Sequence, residues 1–199
     1  MFIWILLLQL HDFGGEMTKL LENLKILIFV ENKFEDSELL YPRYRMIEEG
    51  AKVVIAGPKA KENYQSKYGY LCQADTAFQE VKESDFAALF IPGGYAPDKI
   101  RQHPAALELV RQFNQNGKPI AFICHAGWVP VSAKVLKGVK CTSYPGIKDD
   151  LINAGADWVD EAVVVDRHFI SSRTPDDLPY FCPAAIEVIK RGQQKIAGG

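Results

Sequence analysis

Short apolar runs rich in β-branched residues recur along the chain, and most are followed by a stretch with helical spacing. KILIFV (Lys25 to Val30) is the first, and its unbroken apolar character predicts a strand covered on both faces. EDSELLYPRYRMIEEG follows, with Leu39, Leu40, Tyr44 and Ile47 at helical spacing, Pro42 near the first turns and Gly50 as a C-terminal stop. KVVIAG is then a second strand. AALFIPGG (Ala87 to Gly94) and PIAFICH (Pro119 to His125) repeat the buried-strand signature. Each leads into a helical stretch, PDKIRQHPAALELVRQFNQNG and WVPVSAKVLKG. This alternation predicts an α/β fold with a parallel sheet and helices on both faces, in which ligands sit beyond the carboxyl ends of the strands.

The remaining segments depart from that rhythm. YQSKYGYLCQADTAF has a shorter period and predicts an excursion of small strands. WVDEAVVVDRHFISSR alternates like a hairpin with Asp166 and Arg167 at its turn. PDDLPYFCPAAIEVIKR supplies a closing helix interrupted early by Pro179 and Pro183. QQKIAGG reads as a frayed tail. The expected organisation is an N-terminal extension over residues 1–20, a single domain over 21–192 and a flexible tail over 193–199, with neither internal repeat nor low-complexity linker.

Composition narrows the picture. With 199 residues, 48% of them hydrophobic and 24% charged, the chain can bury one substantial core. A net charge of −2 provides no basic field for a polyphosphate backbone, so no nucleic-acid partner is expected. Cys72, Cys124, Cys141 and Cys182 are scattered, with no C-x-x-C and no zinc-ligand spacing. Reduced thiols in a cytoplasmic protein, without metal or cofactor, follow as the expectation. The opening MFIWILLLQL is shorter than the roughly 20 residues a membrane-spanning helix needs. It lacks the basic n-region of a signal peptide, since the first lysine is Lys19. An upstream start codon before a true start at Met17, a partner-docking segment and a weak export signal all remain open.

Chemistry concentrates at the predicted strand ends. Cys124 ends a central strand, and Ala126 and Gly127 let the chain turn sharply into the next helix. That turn exposes the sulfur above the sheet and points a helix N-terminus at it, which favours thiolate. A free cysteine in an apolar run is otherwise a buried filler, so its place at the turn is what singles it out. Glu35, after the first strand, belongs on the same sheet edge, where a desolvated carboxyl gains a raised pKa and can donate to a thiolate. Asp36 and Glu38 fit the plainer role of first-turn acids favoured by the helix dipole. In PGGYAPD (Pro92 to Asp98), Gly93 and Gly94 let the backbone approach a ligand and, with the His125 N–H, offer donors to an oxyanion. Asp98 is either an imidazole-orienting acid or a helix-start acid. His125 is either a general acid/base or a polar turn residue.

FEDSELLYP, FIPGGYAPD, ICHAGW, CTSYPGIKDDLINAGADWVD and SSRTPDDLPYF together resemble the ThiJ/PfpI superfamily, in particular its PfpI branch of intracellular cysteine peptidase-like proteins, over about Lys25 to Arg191. The resemblance implies a flavodoxin-like three-layer sandwich with a mainly parallel sheet and a nucleophile elbow at Cys124, an acid matching Glu35 and an imidazole matching His125. It also implies a homodimer or a hexamer, with the acid of the PGGYAP loop reaching a neighbouring subunit's histidine. Two departures stand out: Asp98 occupies a position usually held by Glu, and Cys124-His125-Ala126-Gly127 replaces the usual C-H-G-P. A glutamine amidotransferase would pair its elbow with a distal His-x-Glu, and His168 has no Glu two residues on.

The expected function is that of a cysteine enzyme acting on small reactive carbonyls or glycated adducts, in the manner of a glyoxalase or deglycase, or on peptides. The alternatives are a stress-responsive redox sensor or chaperone, whose Cys124 is oxidised beside Glu35 without turnover, and a binding module that has lost catalysis.

Overall fold

The computed structural model describes residues 19–197. Its strands are β1 (Lys25–Phe29), β2 (Lys52–Gly57), β3 (Asn63–Gln65), β4 (Leu71–Gln73), β5 (Thr76–Ala77), β6 (Ala88–Ile91), β7 (Ile120–Ile123), β8 (Lys140–Cys141), β9 (Asp157–Trp158), β10 (Val163–Asp166) and β11 (Phe169–Ser172). Its helices are α1 (Asp36–Glu48), α2 (Ala96–Ile100), α3 (Pro104–Gln115), α4 (Trp128–Ala133), α5 (Lys148–Asn153) and α6 (Leu178–Ala197).

Seven strands form one sheet in the order β10-β11-β7-β6-β1-β2-β5, parallel throughout except for the β10–β11 pair. Helices cover both faces, as the doubly apolar strands require: every residue of β6 and β7 is buried, as are Ile26 to Phe29 of β1. α1 and α6 pack together on one side, while α3 lies against β6, β7 and α4 on the other. The crossover from β1 leads to β2 and that from β6 leads to β7, in opposite directions across the sheet. The loops leaving the carboxyl ends of β1, β6 and β7 therefore converge, as at the ligand-binding crevice of an open α/β sheet. This is a flavodoxin-like fold.

Several elements differ from the sequence reading. The stretch after β6 is two helices, split at His103–Pro104, because the proline ring disfavours helical backbone at the residue before it. His103 accordingly has φ −92° and ψ 110°. The β10–β11 turn is Arg167 and His168, with Arg167 at φ +57° and Asp166 paired to Phe169 in the ladder. Trp158 belongs to the separate β8–β9 pair. Pro183 lies inside α6 without interrupting it. The bond it forgoes would reach only Pro179, in the first turn. α6 also continues through Ala197, into the segment read as a tail, since Gln193, Gln194 and Lys195 are good helix formers. The readings of residues 1–16 lie outside the described residues. Among those described, no helix is long and apolar enough to cross a membrane.

Candidate active site

β7 ends at Ile123 in extended conformation, and the chain then turns through Cys124 at φ +63°, a left-handed backbone that side chains other than glycine adopt at a cost of order 1–3 kcal/mol. A single 3-10 turn, Cys124–Gly127, leads into α4. The Tyr144 N–H donates to the Cys124 carbonyl at 3.2 Å and helps hold this geometry. Cys124 as a whole is 8% exposed, and its sulfur faces the backbone N–H groups of Gly94 and His125.

The carboxyl beside the thiol is that of Glu38, not Glu35. Glu38 is 2% exposed, its Oε2 accepts the Gly93 N–H at 2.8 Å, Oε1 is buried without a conventional hydrogen-bond partner, and the carboxyl lies beside the Cys124 side chain. The packing leaves no slack. A Cβ added at Gly93 would lie 2.6 Å from Glu38 Oε2 and 2.7 Å from Cys124 Cβ. Burial pushes Glu38 up to about 8, opposed by its bond to Gly93 and helped by the charge of Glu35. Burial, with the nearby Glu38 charge, likewise pushes the Cys124 thiol up to about 12, while the N–H groups of Gly94 and His125 pull it down. Desolvation therefore outweighs the short helix that was expected to favour thiolate on its own. Neutralising Glu38 removes the second of the two main causes that raise the thiol.

Glu35 lines the mouth of the cleft and pairs away from the thiol. It is the N-cap of α1 but makes no side-chain cap, and its carboxylate pairs with Lys67 Nζ at 2.8 Å. The β1–α1 loop is zipped to the β6–α2 loop by a Phe34–Gly94 bridge, by Glu35 N–H to the Gly93 carbonyl at 3.3 Å and by Tyr95 N–H to the Lys33 carbonyl at 2.9 Å. This zipper carries α1, and with it Glu38, to the end of β7. Gly93 thus spends its N–H on Glu38 and is not among the donors facing the sulfur. Gly94 and His125 remain in that role.

His125 Nδ1 lies 3.2 Å from Cys124 Sγ. Its ring stacks on Tyr144 with centroids 4.6 Å apart and meets Trp128 at 5.3 Å. Burial and the Lys67 charge lower its pKa. Together with Glu35, Glu38, Lys67, Tyr68, Gly94, Tyr95, Cys124 and Tyr144, it lines a cleft of about 350 Å³ that Thr174 and Pro175 also border. Asp98, in contrast, is exposed on α2 and takes no part in this cleft within one chain. Lys67 and Tyr144 were missed by sequence reading because each arrives from a loop far along the chain. Glu38 was read only as a helix-start acid.

The sheet and its crevice define a flavodoxin-like α/β protein with a cysteine at the central strand-to-helix turn. Residues 24–188 match the DJ-1/PfpI family, and the chain belongs to it. It is 46% identical to the deglycase PfpI of Pyrococcus furiosus over 84% of this chain and 100% of that protein. It is 39% identical to the putative cysteine protease YraA of Bacillus subtilis, over 83% of this chain and 98% of the relative. Among solved structures, Drosophila melanogaster DJ-1beta superposes with a TM-score of 0.77 at 28% identity, covering 88% of this chain and 96% of that one.

Proposed function

We propose that the protein is a cysteine-dependent enzyme that acts on small reactive carbonyls or their adducts with amines, as the deglycase names of several relatives suggest. The observation that carries this reading is the placement of Cys124, at positive φ, between a protonatable buried Glu38 and the ring of His125. In the addition step, the neutral imidazole of His125, with Nδ1 3.2 Å from Sγ, takes the Cys124 thiol proton as the sulfur forms a C–S bond to the carbonyl carbon. The π pair of the carbonyl moves onto oxygen, within reach of the Gly94 and His125 N–H groups. Glu38, protonated below about pH 8, supplies the proton that converts the oxyanion to a hydroxyl, and the His125 imidazolium, which holds the former thiol proton, is placed to return it in the steps that follow. Peptide hydrolysis would begin with the same addition, and the protease name of one relative keeps it as the second reading. In an oligomer, Asp98 would supply the acid for a neighbouring subunit's imidazole.

The test measures kcat/KM for methylglyoxal, for its adduct with an amino-acid amine and for a peptide amide in wild type, Cys124→Ser and Glu38→Gln. Both variants are expected to lose carbonyl turnover by about 100-fold or more. Turnover that survives Cys124→Ser would refute the proposal.

A further inference from the structure

The imidazole at the thiol touches two aromatic rings, and among the described residues only that of Trp128 has a side-chain hydrogen bond of its own. Tyr144 stacks on His125 with an interplanar angle of 26°. A parallel stack restrains the tilt of a ring but lets it slide and swing in its own plane, and the outer torsion of histidine is soft. Nothing in that contact selects the nitrogen presented to sulfur. Trp128 is different: its ring is inclined at 54° to the imidazole with centroids 5.3 Å apart, so it blocks motion that the stack permits.

The indole is itself held from two directions. Its Nε1–H donates to Asp150 Oδ2 of α5 at 2.7 Å. The guanidinium of Arg101, just after α2, lies 5.6 Å from the ring centroid, and Arg101 Nε donates to Ser132 Oγ at 2.9 Å. Three helical elements thus meet at one ring, which lies against His125. Asp150 is exposed and Arg101 half-buried, and neither belongs to the apolar core, so the convergence has its effect on the orientation of the indole.

We propose that Trp128 is a positioning residue for His125, fixing Nδ1 toward the Cys124 sulfur, and that the Asp150 hydrogen bond holds the indole for that purpose. This rests on the reading of Cys124 and His125 as the reacting pair. The charged and titratable groups around the imidazole are the Cys124 thiol, the stacked Tyr144 phenol, Tyr68 and Tyr95 of the cleft, Glu38 of α1, Lys67 with Glu35 behind it, and, beyond the indole, Arg101 and Asp150.

The experiment follows site-resolved alkylation of Cys124 by iodoacetamide from pH 5 to pH 10 in wild type, Asp150→Asn, Asp150→Ala and Trp128→Leu, with methylglyoxal kinetics in parallel. Asp150→Ala and Trp128→Leu are expected to slow alkylation at pH 7 roughly 3- to 10-fold, to move the pH profile, and to lower kcat with little change in KM. Asp150→Asn retains an acceptor oxygen for the indole N–H and is expected to stay within about twofold of wild type. Because Asp150 is exposed, its variants are expected to fold, which a thermal midpoint measured for each will check. A wild-type pH profile in Asp150→Ala and Trp128→Leu, or equal losses in Asp150→Asn and Asp150→Ala, overturns the proposal. Wild-type Cys124 that alkylates no faster than Cys72, Cys141 or Cys182 would sink the underlying reading of the site, and this one with it.

Discussion

The difference between Glu35 and Glu38 comes from the direction in which helical side chains lean. Cα–Cβ bonds tilt toward the helix N-terminus, so a residue one turn inside α1 reaches back toward the strand ends, whereas the N-cap residue projects sideways. An acid at the third helical position ordinarily bonds the N-cap N–H, but here the Glu35 N–H goes to the Gly93 carbonyl and Glu38 is diverted to the Gly93 N–H. Sequence order places both acids near the right edge of the sheet. Only the zipper between the two loops decides which one is buried, and that pairing leaves no local trace in the sequence. Glu38→Gln is therefore expected to cut carbonyl kcat/KM by about 100-fold, and Glu35→Gln, which breaks only a partly exposed pair with Lys67, by a few-fold at most. The reverse order, measured side by side, would return the role to Glu35. Gly93→Ala should fail in both respects. Its methyl group has backbone and the Cys124 Cβ at under 3 Å, so a destabilisation of roughly 1–3 kcal/mol in chemical denaturation should accompany loss of turnover.

Among the elements, the β3–β4 hairpin is the one that brings chemistry to the cleft without belonging to the main sheet. Its loop carries Lys67 and Tyr68, and two backbone bonds, Lys33 N–H to the Gln65 carbonyl and Lys67 N–H to the Phe34 carbonyl, tie it to the β1–α1 loop. Ser66 at its base is 1% exposed. The hydroxyl donates to Asp36 Oδ1 at 2.6 Å and accepts the N–H groups of Tyr68 and Tyr70 at 3.2 and 2.8 Å. Ser66→Ala would leave Asp36 with no partner for either oxygen, since Oδ2 is already unpaired. The expected cost is about 1–3 kcal/mol in unfolding free energy. A rise in KM for carbonyl substrates with kcat nearly kept should go with it, because the loop lines the mouth rather than the reacting atoms. An unchanged KM would separate the hairpin from substrate binding. The sequence showed that this segment was a short-stranded excursion but could not show where it docked, because two of the docking bonds are backbone to backbone and the Ser66–Asp36 and Lys67–Glu35 pairs join residues about 30 positions apart.

At the scale of the molecule, the alternation of apolar strands and amphipathic helices made the fold legible, since a strand buried on both faces has few other places to go. The cysteine elbow was legible for the same reason, as the end of such a strand. What the pattern could not carry was the balance between burial and charge inside the crevice, and that balance gives the whole protein a pH dependence. Glu38 has an ordinary value of 4.5 and is raised to about 8 in the fold. Between those values the folded state holds a proton that the unfolded chain has released, so stability is full below about pH 4.5 and is withdrawn as pH rises toward 8. Each unit of separation corresponds to about 1.4 kcal/mol, so the loss over the window amounts to a few kcal/mol. His125, whose pKa burial lowers, acts with the opposite sign, adding stability as pH rises toward its ordinary value of 6.5. Wild type alone therefore mixes the two, and the informative quantity is its difference from Glu38→Gln. Gln has no proton to lose and can keep the Gly93 bond through its amide oxygen. Urea denaturation of both proteins from pH 4.5 to pH 8.5 is expected to show the variant gaining on wild type steadily as pH rises. A difference that stays constant across that range would mean that Glu38 is not held protonated by the fold, and the proton assigned to it in the addition step would need another source.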